Sequence, residues 1–275
     1  MTIRDVISAD GTSIVYRVSG PPDARPLVLL HGWAESLTCW GTGVVDELST
    51  RYRVIAADLR GHGYSGAPES GYDDPENWAA DIAAILDAES AIDGAVLLGW
   101  SYGGLVICDY LAEHGTSEVD GIILVSAING IGPGKAGGTT GPAMRAAMPA
   151  VFDESPGTAV RAFAAFGDAN IGSGEGKGVD AQRLFGASLS TPPRVRKALF
   201  VRTTDHDDML RTLDVPALLM HGTADTVVDI AASEHAAALI PDVHTSYWDG
   251  AKHGLFIEDP GKFVAEVSEF IDTLA

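Results

Sequence analysis

Short runs of apolar residues alternate along the chain with longer segments in which apolar positions recur every three or four residues. This alternation predicts a mainly parallel β-sheet covered by helices, an α/β fold. Several short runs, such as LVLL at 27–30 and AVLLG at 95–99, are continuously apolar, which is typical of strands buried on both faces. The predicted strands are 13–18, 27–30, 53–57, 95–99, 121–126, 217–221 and 244–248.

Helices are predicted between these strands. The clearest begins after Asp74, whose side chain suits the N-cap, and has Pro75 at the first helical position, where no amide hydrogen is required. Trp78 and Leu86 lie on its apolar face, and the pattern ends near residue 90. The other helices are predicted at 36–48, 102–113, 229–240 and 261–274.

The alternation is interrupted over residues 128–212. Glycine-rich segments at 130–141 and 172–178 separate short helical patterns, with no strand pattern between them. A bare loop of this length is implausible in a compact domain. We therefore predict a helical cap at 128–212, inserted into a core formed by 1–127 and 213–275. The helical pieces of the cap are predicted near 143–148, 156–166, 181–189 and 194–204.

Composition narrows the class of protein. The 275 residues include 38 acidic and 18 basic ones, a formal net charge of −20 that disfavours nucleic acid and anionic membranes as partners. No apolar run approaches the roughly 18 residues of a spanning helix, and no secretory signal core is visible. Cys39 and Cys108 are expected to be small buried hydrophobic residues. We expect a cytoplasmic protein, and the sequence leaves its oligomeric state open.

The segment GWSYGG at 99–104 follows a predicted buried strand and leads directly into an apolar helix. It is a G-x-S-x-G sequence in the strand–turn–helix setting, in which a strained turn lifts the serine hydroxyl above the sheet. Side chains at Gly99 and Gly103 would collide where strand and helix cross. The sequence therefore predicts Ser101 as a nucleophile.

A serine nucleophile requires a base that takes its proton and an acid that orients the base. Asp225 lies just beyond the carboxyl end of the predicted strand at 217–221, and His253 lies in the loop after the next strand. The carboxyl edge of a parallel sheet is where catalytic groups collect. We predict His253 as the base and Asp225 as the acid, with Asp229 as the alternative acid.

The remaining histidines are expected to have other roles. His31 and His221 each precede a glycine at a strand end and are expected to hold loops together by hydrogen bonds. His114, His206 and His235 are expected to be solvated.

Acyl transfer also requires hydrogen-bond donors for the developing oxyanion. The backbone N–H of Tyr102, directly after the nucleophile, is one predicted donor. The second is the backbone N–H of Trp33, in the loop after the strand at 27–30, and the Trp33 indole and Tyr102 are expected to line the substrate pocket. The sequence indicates no metal site, because the run His206-Asp207-Asp208 has no matching ligand set and neither cysteine has a partner at zinc spacing. No cofactor is expected, because ester hydrolysis by a serine nucleophile requires none.

Five motifs in this order resemble the α/β-hydrolase superfamily. They are HGW at 31–33, DLRGHGYS at 58–65, GWSYGG at 99–104, HGTAD at 221–225 and the late His253. The chain is similar to the compact esterases grouped with cofactor-free haloperoxidases, and LLGWSYGGLV also resembles carboxylesterases that demethylate pimeloyl-carrier-protein esters. The resemblance implies the α/β-hydrolase fold with a helical cap, the chain order Ser101, Asp225, His253, and hydrolysis of a carboxylic ester of small or medium apolar character.

Relatives with other chemistry depart from this pattern. Haloalkane dehalogenases and epoxide hydrolases of this fold carry Asp at the nucleophile position, where this chain has Ser101. Perhydrolysis, hydrolysis of a carbon–carbon bond, and a ligand receptor on a hydrolase scaffold remain alternatives. The apolar cap residues either line the pocket or form the core of the cap itself; they are Met144, Met148, Phe152, Phe163, Phe166, Phe185 and Phe200.

Overall fold

A computed structural model describes residues 2–91, 94–155, 157–171 and 177–274. Its main sheet consists of β1 (Thr2–Ile7), β2 (Ser13–Ser19), β3 (Pro26–Leu30), β4 (Arg53–Ala57), β5 (Ala95–Trp100), β6 (Val119–Val125), β9 (Ala217–Gly222) and β10 (Val243–Trp248); a separate pair consists of β7 (Gly130–Ile131) and β8 (Thr204–Asp205). The order in the main sheet is β1-β2-β4-β3-β5-β6-β9-β10. β2 runs antiparallel to β1 and β4, and all other neighbours are parallel.

Helices cover the sheet as the sequence predicts. They are α1 (Gly41–Leu48), α2 (Pro75–Ala88), α3 (Tyr102–His114), α4 (Pro142–Val151), α5 (Thr158–Ile171), α6 (Gly178–Ser190), α7 (Pro193–Val201), α8 (Asp207–Arg211), α9 (Ala231–Leu239), α10 (Leu255–Glu258) and α11 (Pro260–Thr273). The predicted N-cap of α2 is present, since the Asp74 side chain accepts a hydrogen bond from the Glu76 amide over 3.0 Å. The segment predicted as one helix at 36–48 begins instead with a 3₁₀ turn, Leu37–Trp40, which ends at Gly41 with a φ of 69°.

The central strands are buried on both faces. Val28 and Leu30 of β3 belong to the apolar layer that contains α2 and α3, whereas Leu27 and Leu29 belong to the layer that contains α1 and α11. The continuous apolar runs are therefore explained by helices on both sides of the sheet.

Three strands, β1, β7 and β8, and two short helices, α8 and α10, were not predicted from the pattern. β1 is an antiparallel edge strand whose side chains are mostly exposed, so no buried face leaves a signal in the sequence. The prediction that the insertion lacks strands is wrong, because β7 and β8 form a two-residue antiparallel pair there. Strands of two residues are too short to show a period.

Helices α4 to α7 lie between β6 and β9 along the chain and pack over the edge where the core strands end. Trp33, in the loop after β3, illustrates this contact: its indole Nε1 donates to the Arg196 carbonyl of α7 over 2.9 Å. The boundaries 128 and 212 of the cap remain a prediction, and most of the glycine-rich segment at 172–178 lies outside the described residues, as does Pro156. None of the described helices is long and apolar enough to cross a bilayer.

Candidate active site

Ser101 occupies a strained turn between β5 and α3. Its φ is 56° and its ψ is −116°, a left-handed conformation that side chains other than glycine rarely adopt. The turn places the first residue of α3, Tyr102, directly after the serine. A predicted nucleophile therefore stands at the carboxyl end of a central strand.

The glycines around Ser101 are required by close backbone contacts. A Cβ atom at Gly99 would lie 2.5 Å from the carbonyl carbon of Gly103, and a Cβ at Gly103 would lie 2.2 Å from the carbonyl oxygen of Leu30. Gly32 also lies close, since a Cβ there would be 3.0 Å from the Cβ of Ser101. The loop after β3 and the serine turn are thus packed directly against each other.

The structure brings His253 and Asp225 together. His253 Nδ1 donates to Asp225 Oδ2 over 2.7 Å, and both side chains are buried. The other carboxylate oxygen, Oδ1, accepts hydrogen bonds from the backbone amides of Val227 at 2.7 Å and Val228 at 3.1 Å. Asp225 thus holds His253 in one orientation and is itself held by the chain that follows it.

The charge state of Asp225 suits this role. Burial by itself raises the pKa of its carboxyl, but the charge of His253 and hydrogen bonds from His221 and His253 outweigh burial and keep that pKa well below its usual range. The carboxylate is therefore ionised and stabilises positive charge on His253. Asp229, the alternative acid, instead accepts a 3.0 Å hydrogen bond from the amide of Ala231, the first residue of α9.

The loop that carries His253 is fastened from both sides. Trp100 Nε1 donates to the His253 carbonyl over 3.0 Å, and the Trp100 and His253 rings are 5.3 Å apart. On the cap side, the Gly254 amide donates to the carbonyl of Asn170 in α5 over 2.7 Å. The position of the histidine thus depends on both core and cap.

The two residues predicted to supply the oxyanion donors both belong to segments that adjoin Ser101. Tyr102 directly follows the serine in the chain. Trp33 directly follows Gly32, and Gly32 packs against Ser101. The indole of Trp33 is 5.2 Å from the ring of Phe200 and 5.8 Å from that of Phe163, so cap residues determine its orientation. The Tyr102 phenol accepts a 3.1 Å bond from Arg202.

Ser101 stands between two cavities of different character. The larger, about 280 Å³, is mainly apolar; its wall includes Tyr102, Ile128, Ile131, Met148, Phe200 and Val228. The smaller, about 20 Å³, has a polar side; its wall includes Glu35, Trp100, Phe166, Asn170, Ser188 and His253. Both cavities share Trp33, Ser101, Met144 and Val227.

The apolar cap residues divide between lining these two cavities and packing within the protein. Met144, Met148, Phe166 and Phe200 line one or both cavities. Phe152 and Phe163 instead contact the Trp33 ring, at 6.2 and 5.8 Å, and Phe185 packs against the core. The cap thus uses some of these side chains for the pocket and the rest for its own packing.

Two further histidines hold the loop after β3, as expected for His31. His31 Nε2 accepts from the Leu59 amide at 3.0 Å, and His62 Nε2 accepts from the Ala34 amide at 3.2 Å. Burial lowers the pKa of His31 to about 4. Burial and the nearby His31 ring together lower the pKa of His62 to about 3. Both side chains are therefore neutral structural groups at neutral pH.

His206 was expected to be solvated, and this expectation is wrong. It is buried at the end of the cap, where its Nε2 lies 2.9 Å from Asp109 Oδ1. The local sequence contains no signal for this contact, because Asp109 is on α3 and 97 positions away.

Sequence reasoning also missed Glu35, Asn170 and Ser188. They come from the loop after β3, from α5 and from α6, and meet only where the folded cap packs against the core. Within the described residues, no three His, Cys, Asp or Glu side chains form a group that could hold a metal ion.

The profile of the alpha/beta hydrolase family matches residues 27–267 of the chain. The protein therefore belongs to the alpha/beta hydrolase family, and the resemblance inferred from the five motifs is confirmed. The eight-stranded, mostly parallel sheet is the fold expected of that family.

Individual relatives match along more than nine tenths of the chain. A non-heme chloroperoxidase of Streptomyces lividans is 33% identical, with 97% of this chain and 98% of that protein covered. A bifunctional esterase/perhydrolase of Acinetobacter calcoaceticus is 28% identical, with 91% of this chain and 92% of that protein covered. The solved structure of an esterase from Rhodococcus sp. ECU1013 is 59% identical, with a TM-score of 0.99 and 100% of each chain covered.

Proposed function

We propose that the protein is a serine esterase in which Ser101, His253 and Asp225 form the catalytic triad. The observation that carries this proposal is the 2.7 Å hydrogen bond from His253 to an ionised Asp225, with His253 and Ser101 lining the same cavity. The strained turn at Ser101 and the 59% identity to an esterase of known structure support it.

The reaction follows from the roles of the three side chains. The Ser101 hydroxyl attacks the ester carbonyl while His253 accepts its proton, and Asp225 stabilises the charged imidazole. The backbone N–H groups of Trp33 and Tyr102 bind the oxyanion. The alcohol leaves with the proton from His253, and water then cleaves the acyl-serine by the reverse steps.

The larger cavity indicates the kind of ester. Its apolar wall and volume of about 280 Å³ suit the hydrocarbon part of a small or medium substrate. No step of this reaction requires a cofactor.

The test compares wild type, Ser101→Ala and, as a control, Ser190→Ala on the exposed end of α6. Turnover of p-nitrophenyl esters from acetate to decanoate is measured together with labelling by a fluorophosphonate probe. We expect Ser101→Ala to fold but to lose nearly all turnover and labelling, while Ser190→Ala behaves as wild type. Retained turnover in Ser101→Ala would overturn the proposal.

Perhydrolysis is a second candidate, favoured by the similarity to the bifunctional esterase/perhydrolase of Acinetobacter calcoaceticus. In this reaction, hydrogen peroxide replaces water in the attack on the acyl-serine and releases a peracid. Incubation with acetate, peroxide and a halide acceptor is expected to give halogenation that Ser101→Ala abolishes. Halogenation that is equal in Ser101→Ala and wild type would exclude it.

A further inference from the structure

The carboxyl group of Glu35 has an unusual environment beside the predicted nucleophile. The side chain lines the smaller cavity together with Ser101 and His253, and the residue is only 3% exposed. Its Oε1 accepts a 3.2 Å hydrogen bond from the Ser188 hydroxyl. Its Oε2 is buried and has no hydrogen-bond partner among the described residues. An unpaired buried polar atom is costly unless something in the site uses it.

The neutral acid is the form of Glu35 that this environment favours. Burial raises the pKa of its carboxyl well above the ordinary value, and Ser188 and the Arg183 guanidinium of α6 only partly offset this effect. The Cys39 thiol and the His253 imidazole, which lines the same cavity, are the other titratable groups near it, and burial raises the pKa of that thiol as well. Because Oε1 accepts from Ser188, the acid proton belongs on Oε2, which makes that atom a hydrogen-bond donor.

The size of the cavity limits what that donor can bind. Its volume is about 20 Å³, and a cavity needs about 10–15 Å³ of this measure to hold one water. An acyl chain does not fit there, whereas the cavity of about 280 Å³ on the other side of Ser101 has room for one. The smaller cavity therefore suits a molecule of the size of water, with Glu35 and Ser188 as polar partners.

We propose that the Glu35 cavity binds the water that hydrolyses the acyl-serine, and that Glu35 is a positioning residue for it. This inference rests on the proposed function. The Glu35 hydroxyl donates to the water oxygen, and the water donates one proton to His253. The water oxygen then bonds to the acyl carbon, the bond from that carbon to Ser101 Oγ breaks, and His253 returns the proton to Oγ.

The test separates the acylation of Ser101 from the fate of the acyl-serine. Glu35→Leu removes the donor, Glu35→Gln retains one in a group of nearly the same shape, and Glu113→Leu on the exposed face of α3 is the matched control. Each variant turns over p-nitrophenyl butyrate in water containing methanol. The amount of p-nitrophenol released counts the acylation events, and the ratio of methyl ester to acid reports which nucleophile takes the acyl group.

We expect the ratio of methyl ester to acid to rise about tenfold in Glu35→Leu, the equivalent of one lost hydrogen bond to water. The rate of fluorophosphonate labelling of Ser101 is expected to stay within about twofold of wild type, since acylation does not use this water. Glu35→Gln is expected to restore the ratio, and Glu113→Leu to leave it unchanged. A purely structural role of Glu35 would slow labelling and leave the ratio as it is.

Two results would overturn the inference. One is an unchanged product ratio in a folded Glu35→Leu. The other, which does not depend on any variant folding, is a crystal structure of the fluorophosphonate adduct with no ordered water within hydrogen-bond distance of Glu35 Oε2. Turnover in Ser101→Ala would instead overturn the proposed function itself, so the two failures are distinguishable.

Discussion

Arg202, at the end of the cap helix α7, forms a buried ion pair with Asp109 of α3. Its Nη2 lies 2.8 and 2.9 Å from the two carboxylate oxygens, and both side chains are fully buried. Arg202 also donates to the Tyr102 hydroxyl, one residue after the predicted nucleophile. The pair therefore connects the cap to the helix that begins at the serine turn.

Removing one partner of this pair is expected to be costly. Asp109→Leu leaves the Arg202 charge buried without its carboxylate, and we expect the free energy of unfolding to fall by about 3–5 kcal/mol. Replacing both partners, Asp109→Leu with Arg202→Met, is expected to recover much of that loss. Urea titration measures both values. The exposed pair of Arg51 and Asp272 is the control, and Asp272→Asn is expected to leave stability unchanged. An Asp109→Leu variant as stable as Asp272→Asn would contradict the prediction.

Asp225→Asn tests the orientation of the histidine. An amide presents a donor as well as an acceptor, and it cannot stabilise a charged His253. We expect kcat for p-nitrophenyl esters to fall by about four orders of magnitude with the fold retained. Asp249→Asn is the control and is expected to have wild-type activity. Asp249 is exposed in a loop, and its carboxylate accepts a hydrogen bond from the Thr223 hydroxyl. Activity of Asp225→Asn within tenfold of this control would argue against the triad.

Gly103→Ala tests the close approach between α3 and the loop after β3. The added methyl group would lie 2.2 Å from the Leu30 carbonyl oxygen, so backbone must move. We expect loss of thermal stability and of esterase activity together. Gly186→Ala is the matched control, because that glycine is exposed in α6 with no atom within 4 Å of its added Cβ. There alanine is expected to stabilise by up to about 1 kcal/mol. Equal melting temperatures for the two variants would contradict this explanation.

The buried carboxyl of Glu35 predicts a pH dependence of stability. Because burial raises its pKa in the folded protein, the native state holds more protons than the unfolded chain above the unfolded pKa of about 4.3. The contribution of Glu35 to the free energy of unfolding is therefore complete below the unfolded pKa and falls as the pH rises from there to the raised pKa of the folded protein. The charged or titratable groups near it are Arg183, Cys39 and His253, and Ser188 is its hydrogen-bond partner.

Glu35→Gln cannot ionise and is expected to escape this loss. Its stability relative to wild type should be greater at about pH 8 than at about pH 4, as measured by urea titration. Glu113→Gln, at an exposed position of α3, serves as the reference and is expected to follow wild type at both pH values. A Glu35→Gln curve parallel to wild type would show that Glu35 is ionised in the native protein.

Local signals were sufficient for the framework of the molecule. Continuous apolar runs predicted the buried parallel strands, Asp74 and Pro75 predicted the start of α2, and the glycines at 99 and 103 predicted the serine turn. Each of these features depends on residues close together in the sequence, so the pattern contains the information. Asp225 and His253 were predicted as partners because catalytic groups tend to follow the ends of parallel strands, and the structure places their side chains in contact.

Only the tertiary structure decided how the cap completes the site. Glu35, Asn170 and Ser188 come from segments far apart in the chain, and no local pattern marks them as neighbours of Ser101. The same holds for His206, whose partner Asp109 lies on another helix. The sequence by itself predicted which groups would carry the chemistry, because backbone geometry at strand ends is local. The shape and polarity of the cavities arise from contacts between distant segments, which only folding brings together.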